Sequence, residues 1–342
     1  SDDGRVIDHS QADLRTVSEG QAYALFLPWL ANDHATFNRL LVWTENNLSA
    51  GSLTRQLPAW HWGKQASGDW GIIDPNSASD ADLWMVYNLR EAGRVWCRKD
   101  YLSKAAKLAA LVLEQEVADL PGFGLSLLPG RYGFLQADGT ARLNPSYLPG
   151  FLLTRLAASM PYEPRWAELY LNSQRLLLKA QKNGLYPDWV QVQNGALQPE
   201  LPEGDFDAIR HYLWLGLNFD NEPVQNTLER ISLPFANAVR KQGQVPVGWN
   251  PTTNQLHAQA GPAGFQYALA PLLARLFPHE KPLALPNLNT LRNTTDWRNY
   301  GYYNAVLSLF AQGHLQERYR FDDWGRLLRM RVSEGPCKET VQ

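Results

Sequence analysis

The sequence predicts an all-α protein, an (α/α)6 barrel of six helical hairpins with small β-hairpin or loop insertions. Three observations lead there. About twelve helical segments can be traced through the 342 residues. The segments alternate in kind: odd members are apolar on nearly every side and even members carry one polar face. A helix apolar all round is buried, whereas a half-polar one faces water. A ring with the odd helices inside and the even helices outside satisfies both. Thirdly, no linker-like stretch interrupts the chain, so residues 1–342 are expected to form one domain.

The elements follow in order. Ser18 is a good helix N-cap and Gln21 completes a capping-box pattern, so the first helix is placed at about 19–31. Pro28 should kink or stop it. The second helix, about 33–48, carries Phe37, Leu40, Leu41 and Leu48 on one stripe. A loop with Trp60, Trp62 and Trp70 leads to the third, about 79–97, apolar almost all round. The fourth, about 99–117, turns Lys104, Lys107 and Glu114 outward. Residues 118–146 are rich in Gly and Pro, and Arg131–Phe134 and Thr140–Leu143 flank Ala137-Asp138-Gly139 as a small hairpin. Helices follow at about 147–159 and 164–181, then a short strand at Trp189–Val192. Further helices are expected at about 205–218, 222–242, 261–277, 285–293 and 302–312, with a last piece near 321–329.

Composition narrows the function. The chain is 44% hydrophobic and can bury a large core. A net charge of −2 and the lack of any strong basic run argue against nucleic acid. No apolar run approaches the ~20 residues that span a bilayer. None at the start reads as a signal peptide, and a start at Ser1 fits a mature chain whose signal has been removed. The seven His and the two Cys have no metal-ligand spacing, so neither metal nor cofactor is expected. Pairing of Cys97 with Cys337 stays open, since spatial closeness is not written in sequence. Much of the aromatic content, 13 Trp, 14 Tyr and 12 Phe, must be core, but a sugar-binding cleft would use it too, since Trp stacks well on flat apolar faces.

Three inner helices start with acids. Glu19 begins the first, Asp80 the third and Asp207 the seventh, and Tyr147 begins the fifth. One acid in a first turn gains from the helix dipole and needs no further reason. In a ring the inner helices run parallel, so these acids share one aromatic-rich rim. Repulsion among them would raise some of their pKa values, which suits a general acid working near neutral pH. Two carboxylates across a cleft suit glycosidic hydrolysis: one protonates the leaving oxygen while the other activates water or attacks carbon.

At these motifs the chain resembles glycoside hydrolase family 8. The matching stretches are Ser18-Glu19-Gly20-Gln21-Ala22-Tyr23, Asn76-Ser77-Ala78-Ser79-Asp80-Ala81-Asp82, Asn144-Pro145-Ser146-Tyr147 and Phe206-Asp207-Ala208-Ile209-Arg210, in order, between about Gly4 and Leu276. It looks closest to the periplasmic endoglucanases that accompany bacterial cellulose secretion. The resemblance implies an (α/α)6 barrel, an inverting endo-β-1,4-glucanase, Glu19 as general acid and Asp207 as general base. It implies that Asp80 holds the sugar at the cleavage point and that Tyr147 lies near the nucleophilic water. It also implies a periplasmic or secreted enzyme whose partners are β-1,4-glucan (cellulose) chains, with a cellulose synthase or secretion complex as a further candidate. Phe206 departs from the Tyr that many members carry there, and Asp205 is a candidate replacement for the lost hydroxyl.

The remaining candidates have structural alternatives. Trp60, Trp62 and Trp189 lie in loops, where stacking on sugar and packing are both open. Arg210 either orients Asp207 or substrate, or serves as a buried ion-pair partner. A xylanase or chitosanase of the same fold is the nearest alternative function, and a non-catalytic polysaccharide-binding protein is a further one. Glu19 and Asp207 argue against the last.

Overall fold

The computed structural model describes residues 1–200, 203–221, 223–280, 282–285 and 300–330. The chain divides into two compact units. One comprises Ser1–Val117 and Pro129–Gly133 with a short piece from Arg329, the other Ala118–Leu128 and Phe134–Leu328.

The first unit contains two helical hairpins, α1 (Ser18–Leu30) with α2 (His34–Leu48) and α3 (Ser79–Val95) with α4 (Lys99–Gln115). Buried aromatics join α1 to α3. Tyr23 and Phe26 meet Trp84 edge-on, at 5.6 and 5.7 Å between ring centroids. The Trp29 indole donates to Asn88 Oδ1 at 3.0 Å, and Asn88 Nδ2 donates to the Ala22 carbonyl at 2.8 Å. Burying these polar groups costs little only because each finds its partner. Tyr23 pairs with Trp84 and Trp29 with Asn88, so the two helices run parallel and start at the same end. A three-stranded antiparallel sheet, β1 (Thr16–Val17), β2 (His61–Lys64) and β3 (Trp70–Asp74), feeds the chain into α1.

The entry to α1 differs from expectation. Val17, not Ser18, is the N-cap, and Ser18 Oγ has no hydrogen-bond partner. Pairing of Val17 with His61 extends the strand to the helix, and the Ser18 N–H is bound by the Trp60 carbonyl at 3.0 Å. Gln21 is drawn away to tertiary partners, accepting from Val6 N at 2.7 Å and donating to Thr44 Oγ1 at 2.9 Å. Pro28 sits in the last turn, and α1 ends two residues later.

The second unit takes in the ribbon β4 (Val117–Leu120) from Ala118 onward and β5 (Gly124–Leu127). Then come β6 (Ala141–Leu143), α5 (Gly150–Ser159), α6 (Arg165–Ala180), β7 (Val190–Gln193), β8 (Ala196–Pro199), α7 (Ala208–Leu217) and α8 (Gln225–Gln242). The unit ends with β9 (Trp249–Asn250), β10 (Gln255–Leu256), α9 (Ala263–Leu276), α10 (Tyr302–Leu315), β11 (Tyr319–Phe321) and β12 (Leu327–Arg329). All ten residues of α7 are buried. It lies against α9 and α10: Phe206 meets Phe265 and Tyr303 before its start, and Trp214 meets Phe310 farther along. These three helices are therefore parallel. A Cβ at Gly216 would collide with the Leu272 backbone, so only glycine permits so close an α7–α9 approach.

Three further expectations change. The piece near 321–329 is the β11–β12 hairpin, because the Asp322 side chain accepts from Trp324 N and Arg326 N and turns the chain. Backbone bonds from Gln136 N to Thr140 O and from Arg142 N to Phe134 O close the predicted turn, but β6 takes β7 as its strand partner, with Leu143 opposite Val190. Tyr147 lies in a separate 3₁₀ turn, Pro145–Tyr147, before α5. The segment expected near 285–293 lies outside the described residues beyond Leu285. Cys97 is disulfide-bonded, and Cys337 lies outside the described residues.

Candidate active site

In the first unit Glu19 stands in the opening turn of α1, half-buried, and Asp80 in the opening turn of α3, only 4% exposed. The parallel packing of α1 and α3 puts both acids at one end of the pair. Backbone bonds tie that end together: Ser18 N to Trp60 O, Trp60 N to Asn76 O at 2.7 Å, and Ser79 N to Pro129 O at 2.9 Å. Trp60 is thus anchored by its main chain between the two motif segments, with its ring half-buried. Trp62 is more heavily engaged. Trp70 stacks on it at 5.4 Å, Trp43 meets it edge-on, and the Arg5 guanidinium lies 4.3 Å from its ring. Trp70, 46% exposed, is the more open ring of that group.

In the second unit Asp207 directly precedes α7 as its N-cap residue. Arg210, one turn on, binds Asp207 Oδ1 through Nη2; the guanidine side chain is 3% exposed and the carboxylate 27%. A buried cation thus holds one oxygen of a carboxylate that water still reaches, and charge-assisted pairs of this kind fix geometry well. Tyr147 covers the guanidinium at 5.3 Å and Tyr303 at 6.0 Å. Tyr147 also contacts Trp189, centroid to centroid 6.2 Å. Trp189 lies parallel to Phe134 at 6.2 Å and carries Arg142 over its ring at 3.8 Å. Asp207, Arg210, Tyr147 and Trp189 therefore form one cluster.

Several contributors were not singled out in the sequence. Tyr303 donates its hydroxyl to the Phe206 carbonyl, bringing a phenol beside position 206. Asp188 accepts from Asp205 N at 2.8 Å and Ala208 N at 2.7 Å. The only sequence signal for Asp188 was its place before Trp189 in a loop.

Asp82, Glu116 and Asp188 are held above the ordinary carboxylate range. Asp82 and Glu116 form a fully buried pair in the first unit, and Ser77 Oγ donates to Glu116 Oε1 at 2.6 Å. Burial raises both, and the charge of Glu116 raises Asp82 further. Burial lifts Glu116 to about 7, against hydrogen bonds from Ser77 and Asp82 that lower it. The folded protein then binds more protons than the unfolded chain between the ordinary glutamate range and pH of about 7, so stability falls as pH rises through that window. Glu116→Gln removes this ionisation. Its melting temperature relative to the parent should rise from pH 5 to pH 8; a constant or falling difference would contradict the upward shift of Glu116.

Among the described residues no group of three or more His, Cys, Asp or Glu is placed to hold a metal ion, and no helix is long and apolar enough to cross a membrane.

Residues 1–317 match the model of the glycosyl hydrolases family 8. An endoglucanase of Xanthomonas axonopodis pv. citri is 42% identical over 335 residues, covering 95% of this chain and 85% of its own. An endoglucanase of Escherichia coli K12 is 39% identical over 335 residues, covering 96% and 87%. The crystal structure of an endo-1,4-D-glucanase from Vibrio fischeri superposes with a TM-score of 0.88 at 38% identity, over 97% of this chain and 96% of that one. The fold class is the (α/α)6 barrel expected from the helix pattern. With the motif acids at their helix starts and the match running through 317 residues, the chain belongs to glycosyl hydrolase family 8.

Proposed function

We propose that the protein is an inverting endo-β-1,4-glucanase that cuts cellulose-type glucan in the periplasm during bacterial cellulose synthesis and secretion. The observation that carries the reading is the similarity, over nearly all of this chain, to enzymes named endoglucanases, together with the acids Glu19, Asp80 and Asp207 at the motif positions. Glu19 gives its proton to the leaving glycosidic oxygen. Asp207 takes a proton from the water that attacks the anomeric carbon from the opposite face, the division of labour of inverting glycosidases. Arg210 holds Asp207 Oδ1 and fixes the orientation of the carboxyl group. Asp80 binds hydroxyls of the sugar at the cleavage point, and Tyr147 stands beside the attacking water. Trp60, Trp62 and Trp189 offer rings to flanking sugars, and residues 1–342 act as one catalytic domain. The location and the cellulose-secretion role rest on the motif resemblance to periplasmic enzymes of that system.

A reducing-sugar assay on carboxymethyl cellulose, xylan and chitosan tests the substrate class. Release from the glucan and mixed-length oligomers among the products are expected. Preferential release from xylan or chitosan would replace the glucan assignment, and release from none would leave a binding protein.

A further inference from the structure

We propose that Asp188 is a positioning residue for the general base: its carboxyl group fastens the Asp205–Ala208 turn that carries Asp207, and its proton is part of the fastening. The inference rests on the reading of Asp207 as base. Asp188 Oδ1 accepts two backbone N–H groups, from Asp205 at 2.8 Å and from Ala208 at 2.7 Å. These donors flank Asp207 in sequence. The Ala208 N–H belongs to the first turn of α7 and has no partner inside the helix, so Asp188 supplies the cap that Asp207 does not. Asp188 is itself pinned, its own N–H bound by the Glu203 carbonyl at 2.8 Å.

The carboxyl group of Asp205 lies within hydrogen-bonding reach of Asp188, and the charge of Asp207 is close by. Two carboxyl groups in that contact cannot both ionise cheaply. Burial first, then the Asp205 contact and the Asp207 charge, push Asp188 up to about 8, against the Asp205 N–H that lowers it. Asp188 thus favours its neutral form near neutral pH, with the Asp205 side chain in reach of its hydroxyl. The other groups around it do not supply that proton. Arg210 is bound to Asp207 Oδ1. His211, one turn along, is buried and held neutral by that burial. The Glu203 side chain is exposed, with His257 at 3.7 Å. Loss of the Asp188 proton puts a further negative charge against Asp205 and Asp207, and the turn loses a hydrogen bond.

The test compares Asp188→Asn and Asp188→Ala with the parent enzyme on cellohexaose from pH 6 to 9. Asparagine keeps the acceptor oxygen and always donates to Asp205. It should retain kcat near pH 6.5 within about threefold, whereas alanine should lose about 10- to 100-fold in kcat with little change in KM, the scale of a misplaced catalytic group. The ratio of Asn-variant to parent kcat should rise from pH 7 to 9. Because groups remote from position 188 are common to both enzymes, that ratio isolates Asp188. A ratio flat across the range overturns the proposal, as does an alanine variant as active as the parent. If the alanine variant does not fold, the asparagine ratio still decides. Asp207→Asn serves as the control: activity retained there refutes the base assignment itself, independently of Asp188.

Discussion

Glu19→Gln lowers kcat on an unactivated cello-oligosaccharide by at least about 100-fold, the usual scale for a general acid, and leaves substrate binding in place. The argument is chemical. The leaving group of glucan hydrolysis is a sugar alkoxide, which departs poorly without a proton. Glutamine matches glutamate in shape but has no proton to give. A substrate with an activated aryl leaving group needs less help, so the same variant should lose far less on an aryl cellobioside. The contrast between the two substrates is the decisive measurement. It separates loss of an acid from general damage to the opening turn of α1, which would slow both alike. Near-normal turnover on the oligosaccharide would remove Glu19 from the acid role.

Asp207→Asn abolishes hydrolysis to within about one part in a thousand of the parent rate or less, and the parent enzyme releases the α-anomer first. An inverting enzyme must fit a water between its base and the anomeric carbon, so its carboxyl groups stand roughly 6.5–9.5 Å apart, against about 5–5.5 Å in a retaining one. Asp207 is suited to hold such a water: Arg210 fixes one of its oxygens, and the side chain is 27% exposed. Proton NMR during hydrolysis of a β-linked cello-oligosaccharide reads the outcome directly. Azide should not restore the Asn variant as a glycosyl azide of retained configuration. Early appearance of the β-anomer would show retention, and Asp207 would then be a nucleophile or a bystander.

Helix existence was legible because it rests on local periodicity. The third helix, expected at about 79–97, spans Ser79–Val95, and the ninth, expected at about 261–277, spans Ala263–Leu276. The turn around Asp138 was legible for the same reason, since it is closed by neighbours in sequence. Where local preference met a distant partner, the distant partner won. Ser18 lost the N-cap to Val17 because a strand 44 residues away in sequence, at His61, extends the backbone to the helix start. Arg210 had two open roles, orienting Asp207 or pairing as a buried charge, and its contact with Asp207 Oδ1 beneath Tyr147 is compatible with both.

What the sequence by itself determined is most of the helix pattern, the identity and order of the motif residues, and the placement of Glu19, Asp80 and Asp207 at or just before helix starts. These follow from side-chain periodicity and short-range spacing, which need no knowledge of the rest of the chain. The tertiary structure alone decided which acids keep their protons. Asp82 meets Glu116 across 34 residues of sequence, and Asp188 meets Asp205 across 17. A carboxyl group shifts upward when folding removes its water or sets a second negative charge against it, and neither burial nor that approach is written in the spacing of residues along the chain.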